Sequence, residues 1–421
     1  MDEKESMNVK ERRKYIAIMW PRYQKASKLE KCKILDEMER VTGMHRKSLI
    51  RVITGRLTRK KREKERGKEY GIAEENAIRR IAQSLDYPCA ERLQPNLIWM
   101  AEQLVKHGEM TVSIETMEKL GRISISTLKR VLKRVGRDKF KIAFRKPKQS
   151  RKNHLRKAYS MKRIPWDTPE PGHFEVDLVW HCGEDGGGEY IHTLQMVDVA
   201  TGWSEIAAIY GRSYKVIRDG FQSILDRLPF TVKEIHPDNG SEFFNGHIIR
   251  FWNQKIEGLE LTRSRPYHKN DNRFVEENNN SLIRAYLGYS RYNTIEQLNT
   301  IRRLYQCLWT YHNLFQPLMR TTAKEYLDPL HYRRLFDRAL PPLDRLIKSG
   351  VLATSTAENL LLFRDQTNPI LLRDEIESLI FDLSQLNSHS LDVVVNVKDT
   401  LYEKEPVLWV TLSNELSVPV R

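Results

Sequence analysis

Three acidic residues sit where a charged side chain needs a reason to be. Asp177 lies inside the apolar run Phe174-Glu175-Val176-Asp177-Leu178-Val179-Trp180. Asp238 follows Val232-Lys233-Glu234-Ile235-His236-Pro237 and opens Asp238-Asn239-Gly240-Ser241-Glu242-Phe243. Glu276 comes after the polar stretch Arg265-Pro266-Tyr267-His268-Lys269-Asn270-Asp271-Asn272 and begins a helical pattern. A carboxylate inside a strand is costly unless its charge is offset, and a divalent cation is the usual means. Three carboxylates from two strands and a helix can converge on a pair of Mg²⁺ ions, an arrangement suited to in-line displacement at a phosphodiester.

Each acid has rivals nearby. Glu175 shares a strand face with Asp177 but lies nearer the strand's start. Asp198 is read as structural, Glu242 as an alternative helix cap. Glu277 points about 100° away from Glu276 on a helix, so only one of the two can face a shared site. His173, His181 and His236 are conceivable bases, but two-metal chemistry requires none, and loop or surface positions are expected for the first two. A solvated surface charge is the default for any single acid. Three in matching contexts argue against it.

Composition sets the frame for that site. At 421 residues the chain should hold more than one domain. Its net charge of +16 is unevenly spread: residues 1–165 carry 44 Lys+Arg against 20 Asp+Glu, and the remainder 27 against 35. A basic front joined to a mildly acidic rear suggests a module for a polyanion, most naturally nucleic acid, attached to something else. No apolar run approaches the roughly 18 residues of a membrane span. The start, Met1-Asp2-Glu3-Lys4-Glu5-Ser6, lacks a secretion signal. Cys32, Cys89, Cys182 and Cys307 form no CxxC pair, so neither a disulfide scaffold nor a zinc site is indicated. A cytoplasmic, nucleoid-associated protein is expected.

The elements that must position the acids follow from periodicity. Cys32–Val41 has helical spacing, Thr42-Gly43-Met44-His45 breaks it and Lys47–Ile53 resumes it, which describes a helix-turn-helix. Arg46, Lys47, Ser48 and Arg51 would face the major groove. A second candidate runs through Thr116–Leu120 and Gly121 into Ser124–Val135, with Ser124 or Ser126 as cap and Thr127, Lys129, Arg130 and Lys133 toward DNA. An ordinary helical hairpin with solvated cations is the bland reading of either; two in tandem within so basic a region favour DNA. Residues 139–165 hold eleven Lys+Arg and no acid, an extended linker whose Arg145, Lys146, Lys148, Arg151 and Lys152 would grip phosphates.

Further on, Glu175–Trp180, Tyr190–Val199 and Trp203–Tyr210 read as strands joined by hairpins, the glycine-rich Cys182–Glu189 being a turn. Helices are expected over 216–228, 246–255, 275–286 and 297–313, with a short strand ending near Asp238, giving a mixed α/β sheet. Arg265, Tyr267, Lys269 and Asn270 would approach DNA from a loop ordered mainly by substrate. At the rear, Asp374–Leu386 suggests a helix, and Leu391–Val397 and Val407–Leu412 suggest strands.

Asp177 in its strand, the block HPDNGSEF around Asp238 and the block RPYHKNDNRFVEENN around Glu276 together resemble the catalytic core of DDE transposases related to retroviral integrases. Val197–Trp203 resembles that core's second strand. The likeness covers roughly residues 165–320 and is most specific in the second and third blocks; 37 residues separate Asp238 from Glu276. The retroviral zinc module of paired His and Cys is missing. The resemblance is nearest to bacterial insertion-sequence enzymes with tandem helix-turn-helix units.

It implies an RNase H-like core in which Asp177, Asp238 and Glu276 hold two Mg²⁺ ions (Mn²⁺ substituting) and cut transposon ends. The freed 3′-hydroxyl is then transferred into target DNA. A homo-oligomer on double-stranded DNA is implied, with no membrane. The expected organisation is therefore multidomain: helix-turn-helix domains at 1–70 and 71–138, a basic linker at 139–165, an α/β core at 166–320 and a small α+β or β accessory domain at 321–421. A metal-dependent nuclease on the same fold and a non-catalytic DNA-binding regulator are the alternatives.

Overall fold

The computed structural model describes residues 7–55, 69–135, 168–238, 240, 242–264, 271–326, 332–388 and 395–403. The chain divides into two compact units, Met1–Glu69 and Tyr70–Arg421. The expected linker and the expected strand at 407–412 lie outside the described residues.

The first unit is three helices: α1 Val9–Lys25, α2 Lys28–Thr42 and α3 Arg46–Thr54. Reciprocal boxes, Asn8 with Glu11 and Ser27 with Glu30, cap α1 and α2. Gly43 ends α2 at φ 64°, a left-handed conformation that costs glycine little. Ile16, Met19, Ile34, Leu35, Met38, Leu49 and Ile53 form the core. A glycine turn between α2 and α3 is what the sequence predicts.

The second unit opens with α4 Ile72–Ser84, α5 Ala90–Leu93, α6 Leu97–Lys106, α7 Ile114–Arg122 and α8 Ile125–Val135. Ser124 caps α8 by accepting from the Thr127 amide at 3.2 Å. This helical group does not stand alone. The Tyr311 hydroxyl donates to Ser84 O at 2.9 Å, and Asn96 Nδ2 to Ala339 O at 3.1 Å.

At the centre is a mixed five-stranded sheet. Strands β1 His173–Trp180, β2 Ile191–Asp198 and β3 Ser204–Tyr210 form an antiparallel meander. Helix α9 Tyr214–Arg227 crosses to β4 Glu234–Pro237, and α10 Gly246–Lys255 crosses to β5 Glu260–Leu261. Both short strands run parallel to β1, giving the order β3-β2-β1-β4-β5. Phe174, Val176 and Leu178 pack with Ile217, Phe221, Ile248 and Trp252 of α9 and α10. The opposite face meets a helical run: α11 Arg273–Asn278, a π-helical turn Asn279–Arg284 and α12 Ala285–Leu287. Helix α13 Ile295–Thr310 follows and continues as a second π turn, Tyr311–Phe315. Val179, Ile191, Ile206 and Ala208 pack there with Ile283, Leu304 and Leu308. The result is three layers.

A hairpin, β6 Thr321–Tyr326 with β7 Tyr332–Phe336, and helices α14 Pro342–Ser349, α15 Thr354–Gln366 and α16 Pro369–Gln385 complete the described chain. Helix α16 packs on α13 and α4, which explains its burial of Ile376, Leu379 and Leu383. The expected strand 391–397 falls mostly outside the described residues. Its last residue, Val397, instead opens a 3₁₀ turn, Val397–Thr400, so that end is not extended.

Gly220 on α9 sets how closely that helix approaches the sheet. A Cβ there would lie 2.8 Å from Ile209 Cγ2 and 3.4 Å from Leu194 Cδ2. Gly220→Ala should therefore destabilise the chain by about 1–3 kcal/mol through overpacking. Thermal unfolding would show this as a Tm several degrees below wild type.

Candidate active site: carboxylates at one rim of the sheet

Pairing brings two of the three acids together. In the parallel β1–β4 ladder, Glu175 aligns with His236 and Val176 with Pro237, so the next residues, Asp177 and Asp238, stand side by side. Aligned residues of neighbouring strands share a face. That face also carries His173, Glu175 and Glu234.

The third acid arrives on α11, which is tied to β1 at two points. Glu175 Oε2 accepts the amides of Phe274 at 2.7 Å and Val275 at 3.0 Å. Asn279 Nδ2 donates to Asp177 Oδ2 at 2.5 Å. Glu276 lies between these ties, three residues before Asn279 and so on the same helical face. Its charge also reaches Glu175. Glu277 turns away, toward the Arg320 guanidinium.

Asp177 is half-buried. Its Oδ1 accepts the Leu178 amide at 2.8 Å. Burial raises its pKa, and the nearby Glu242 carboxylate adds to the rise; the Leu178 amide, Asn279 and Arg284 oppose it. Glu242 is thus part of the same acidic field. Gly240 separates it from Asp238: a Cβ at Gly240 would stand 2.7 Å from Glu242 Cδ and 2.8 Å from Asp238 Oδ1. Asp238 Oδ1 also accepts the Gly240 amide at 2.8 Å.

The donor set is entirely oxygen, which suits a hard cation such as Mg²⁺. Among the described residues, however, no three His, Cys, Asp or Glu side chains already close around one point. The backbone brings Asp177 and Asp238 to one rim, with Glu276 on the helix fastened there.

Other readings of the sequence resolve as follows. Asp198 is structural: it is buried, accepting the amides of Gly172 and Thr201 at 2.8 Å each and the Thr201 hydroxyl at 2.6 Å. His181 is not at the surface but fully buried against Thr193, and burial pushes its pKa well down. His173 is not in a loop. It begins β1 and bonds Glu234 at 2.8 Å. The Thr262 hydroxyl donates to the other Glu234 oxygen at 2.6 Å, so His236 Nδ1 must donate to Thr262. None of these bonds was visible from local sequence. Asn279 and Arg284 went unnoticed too, although the three-residue step from Glu276 to Asn279 was available as a signal.

The residues expected at DNA are differently disposed. Lys47 and Arg51 are exposed on α3, and Ser48 is half-buried. Arg46 is folded back onto α2, paired with Asp36 and donating to Cys32 O at 3.4 Å. On α8, Lys129 pairs with Glu91, Arg130 donates to Thr127 Oγ1 at 3.0 Å, and Lys133 is exposed. Arg134 pairs with Glu75. Arg145, Lys146, Lys148, Arg151, Lys152, Arg265, Tyr267, Lys269 and Asn270 lie outside the described residues. No described helix is long and apolar enough to cross a membrane.

No family model matches the chain. It is 29% identical over 333 residues to the uncharacterized protein y4rM of Sinorhizobium fredii, spanning 78% of this chain and 92% of that one. Among solved structures, the catalytic core domain of BIV integrase aligns with 34% of this chain and 83% of its own, at 17% identity and a TM-score of 0.25. A score that low carries no argument.

Beneath the acids, the Glu234 bond raises the His173 pKa, against burial; Asp198 and Glu170 act in the same direction. A raised folded-state pKa contributes stability that is fully present below about pH 6.5 and lost as pH climbs through the raised value. His173→Gln should therefore lower the Tm more at pH 5.5 than at pH 9. Unfolding curves of both chains across that range test it.

Proposed function

We propose that the chain is a DNA-cutting and DNA-joining enzyme of the DDE transposase type, with an RNase H-like core, acting as a homo-oligomer on double-stranded DNA. The observation that carries this reading is the rim itself. Asp177 lies on β1 and Asp238 directly follows the parallel strand β4 beside it, and Glu276 lies on a helix fastened to the strand of Asp177. The strand order and the two-sided helical cover support the same core.

The residues that would hold two Mg²⁺ or Mn²⁺ ions are Asp177, Asp238 and Glu276. Bound there, the ions would supply charge to both the attacking and the leaving oxygen of an in-line displacement. The chain's own part is orientation. Leu178 N and Asn279 fix the plane of the Asp177 carboxylate, and the Asp238–Gly240 turn fixes that of Asp238. Glu242 makes the rim still more negative, strengthening its demand for cations. Phosphate binding falls to basic surfaces elsewhere, with Lys47 and Arg51 on α3 exposed and available to a groove.

The test uses labelled duplexes from the flanks of the element, with Mg²⁺ or with a chelator. Metal-dependent nicking at an end, followed by joining into a plasmid, is expected; cutting without joining would identify a plain nuclease. Asp177→Asn, Asp238→Asn and Glu276→Gln should each lower cleavage by roughly 10³-fold or more, about 4 kcal/mol of barrier. Duplex binding in a gel-shift assay should persist. Cleavage surviving all three changes would defeat the assignment.

A further inference from the structure

Glu175 is a buried acid that the mechanism above leaves without a task. It is 1% exposed, on the strand face of Asp177 and two residues before it. Its carboxylate points at the start of the helical run Arg273–Leu287, where Oε2 takes the amides of Phe274 and Val275. Helix starts leave such amides without an intrahelical partner, and a side chain at the cap position normally takes one. Here the cap residue, Asn272, makes no such bond, and its buried carboxamide has no partner among the described residues. Glu175 does from the neighbouring strand what Asn272 does not do locally.

The tie has a geometric consequence. One residue separates Glu175 from Asp177, and Glu276 directly follows Val275. The second tie, Asn279 to Asp177, lies about one turn further along. Glu276 is therefore held between two fastenings to the strand that carries Asp177. Arg320 contributes a nearby guanidinium, stacked 4.5 Å from the Phe274 ring centroid, beside the first of these fastenings.

We infer that Glu175 is a positioning residue that sets the separation of Asp177 and Glu276 by capping the helix that carries Glu276. The inference rests on reading Asp177 and Glu276 as the acids of the reaction. It distinguishes Glu175 from an additional metal ligand, because both amides go to a single oxygen. A glutamine's one amide oxygen can replace that oxygen, whereas it makes a poor substitute for a ligating carboxylate.

The experiment compares full-length wild type, Glu175→Gln and Glu175→Ala on the duplex that wild type cuts, at saturating DNA and over a Mg²⁺ series. Displacement of a reacting group by about 1 Å costs on the order of 10²-fold. Glu175→Ala should lose about that much in single-turnover rate and need more Mg²⁺, with duplex affinity unchanged. Glu175→Gln should recover most of the rate.

A folded Ala chain cutting at the wild-type rate would overturn the inference. So would a Gln chain as inactive as Asp177→Asn, since the charge itself would then be required. Should the Ala chain fail to fold, the Gln chain alone decides, on the same criterion. If Asp177→Asn cuts normally, the catalytic reading fails; if it is dead while Glu175→Ala is normal, only the tie fails.

Discussion

The bond pair from one buried carboxylate to the start of α11 is the constraint from which the site's geometry follows. Sheet and helix meet in most of the three-layer unit through apolar side chains, as Val179, Ile283 and Leu308 do. At the rim the contact is polar instead. Glu175, Asp177 and Ser204 on the strands meet the amides of 274 and 275, Asn279 and Asn278 on the helix. Apolar contacts tolerate sliding, since dispersion has no direction. Hydrogen bonds fix both distance and angle, so the acidic rim is held by the more directional force.

That polar seam does not maximise stability. Burial pushes Glu175 up to about 8, outrunning its two amide bonds and Arg320. Asp177 and Asp198 are raised as well, chiefly by burial. Arg320, itself pushed down to about 10 by burial and by Arg345, is shared among Glu175, Glu277 and Asp198. Acids held above their ordinary range cost folding free energy at neutral pH; for Glu175 and Asp177 the cost falls at the rim, for the structural Asp198 in the scaffold. Glu205 accepts Trp203 Nε1 and Trp309 Nε1 at 2.8 Å each and pairs with Arg227.

Much of this was legible in the residues. Apolar runs set off by the glycine-rich turn made the meander strands readable, and the run around Asp238 was readable because Pro, Asn and Gly punctuate it. The strand order, and with it the pairing of Asp177 with Asp238, needed the resemblance, since nothing local says that β4 lies beside β1. What escaped was long-range. Glu75 and Glu91 lie far in sequence from the α8 cations they neutralise, so a hairpin that reads as wholly basic is partly compensated. His181 looked like a loop residue because it follows the strand's last apolar position. It does lie just past β1, but fully buried, bonded to Thr193 of β2 and set against the Tyr292 ring.

The π turn at 279–284 was equally invisible, and it has a consequence for rotational phase. In an α-helix each four-residue step advances a side chain about 40° around the axis. Over Val275, Asn279, Ile283 and Leu287 that drift would carry the last residues off the sheet. One wider turn takes the rotation back, so Asn279 still meets Asp177 while Ile283 and Leu287 remain buried. The two halves of this run are thus out of step by one residue. Removing a single residue from the turn would set the same four side chains four, three and four residues apart, a spacing that an unbroken α-helix keeps on one face.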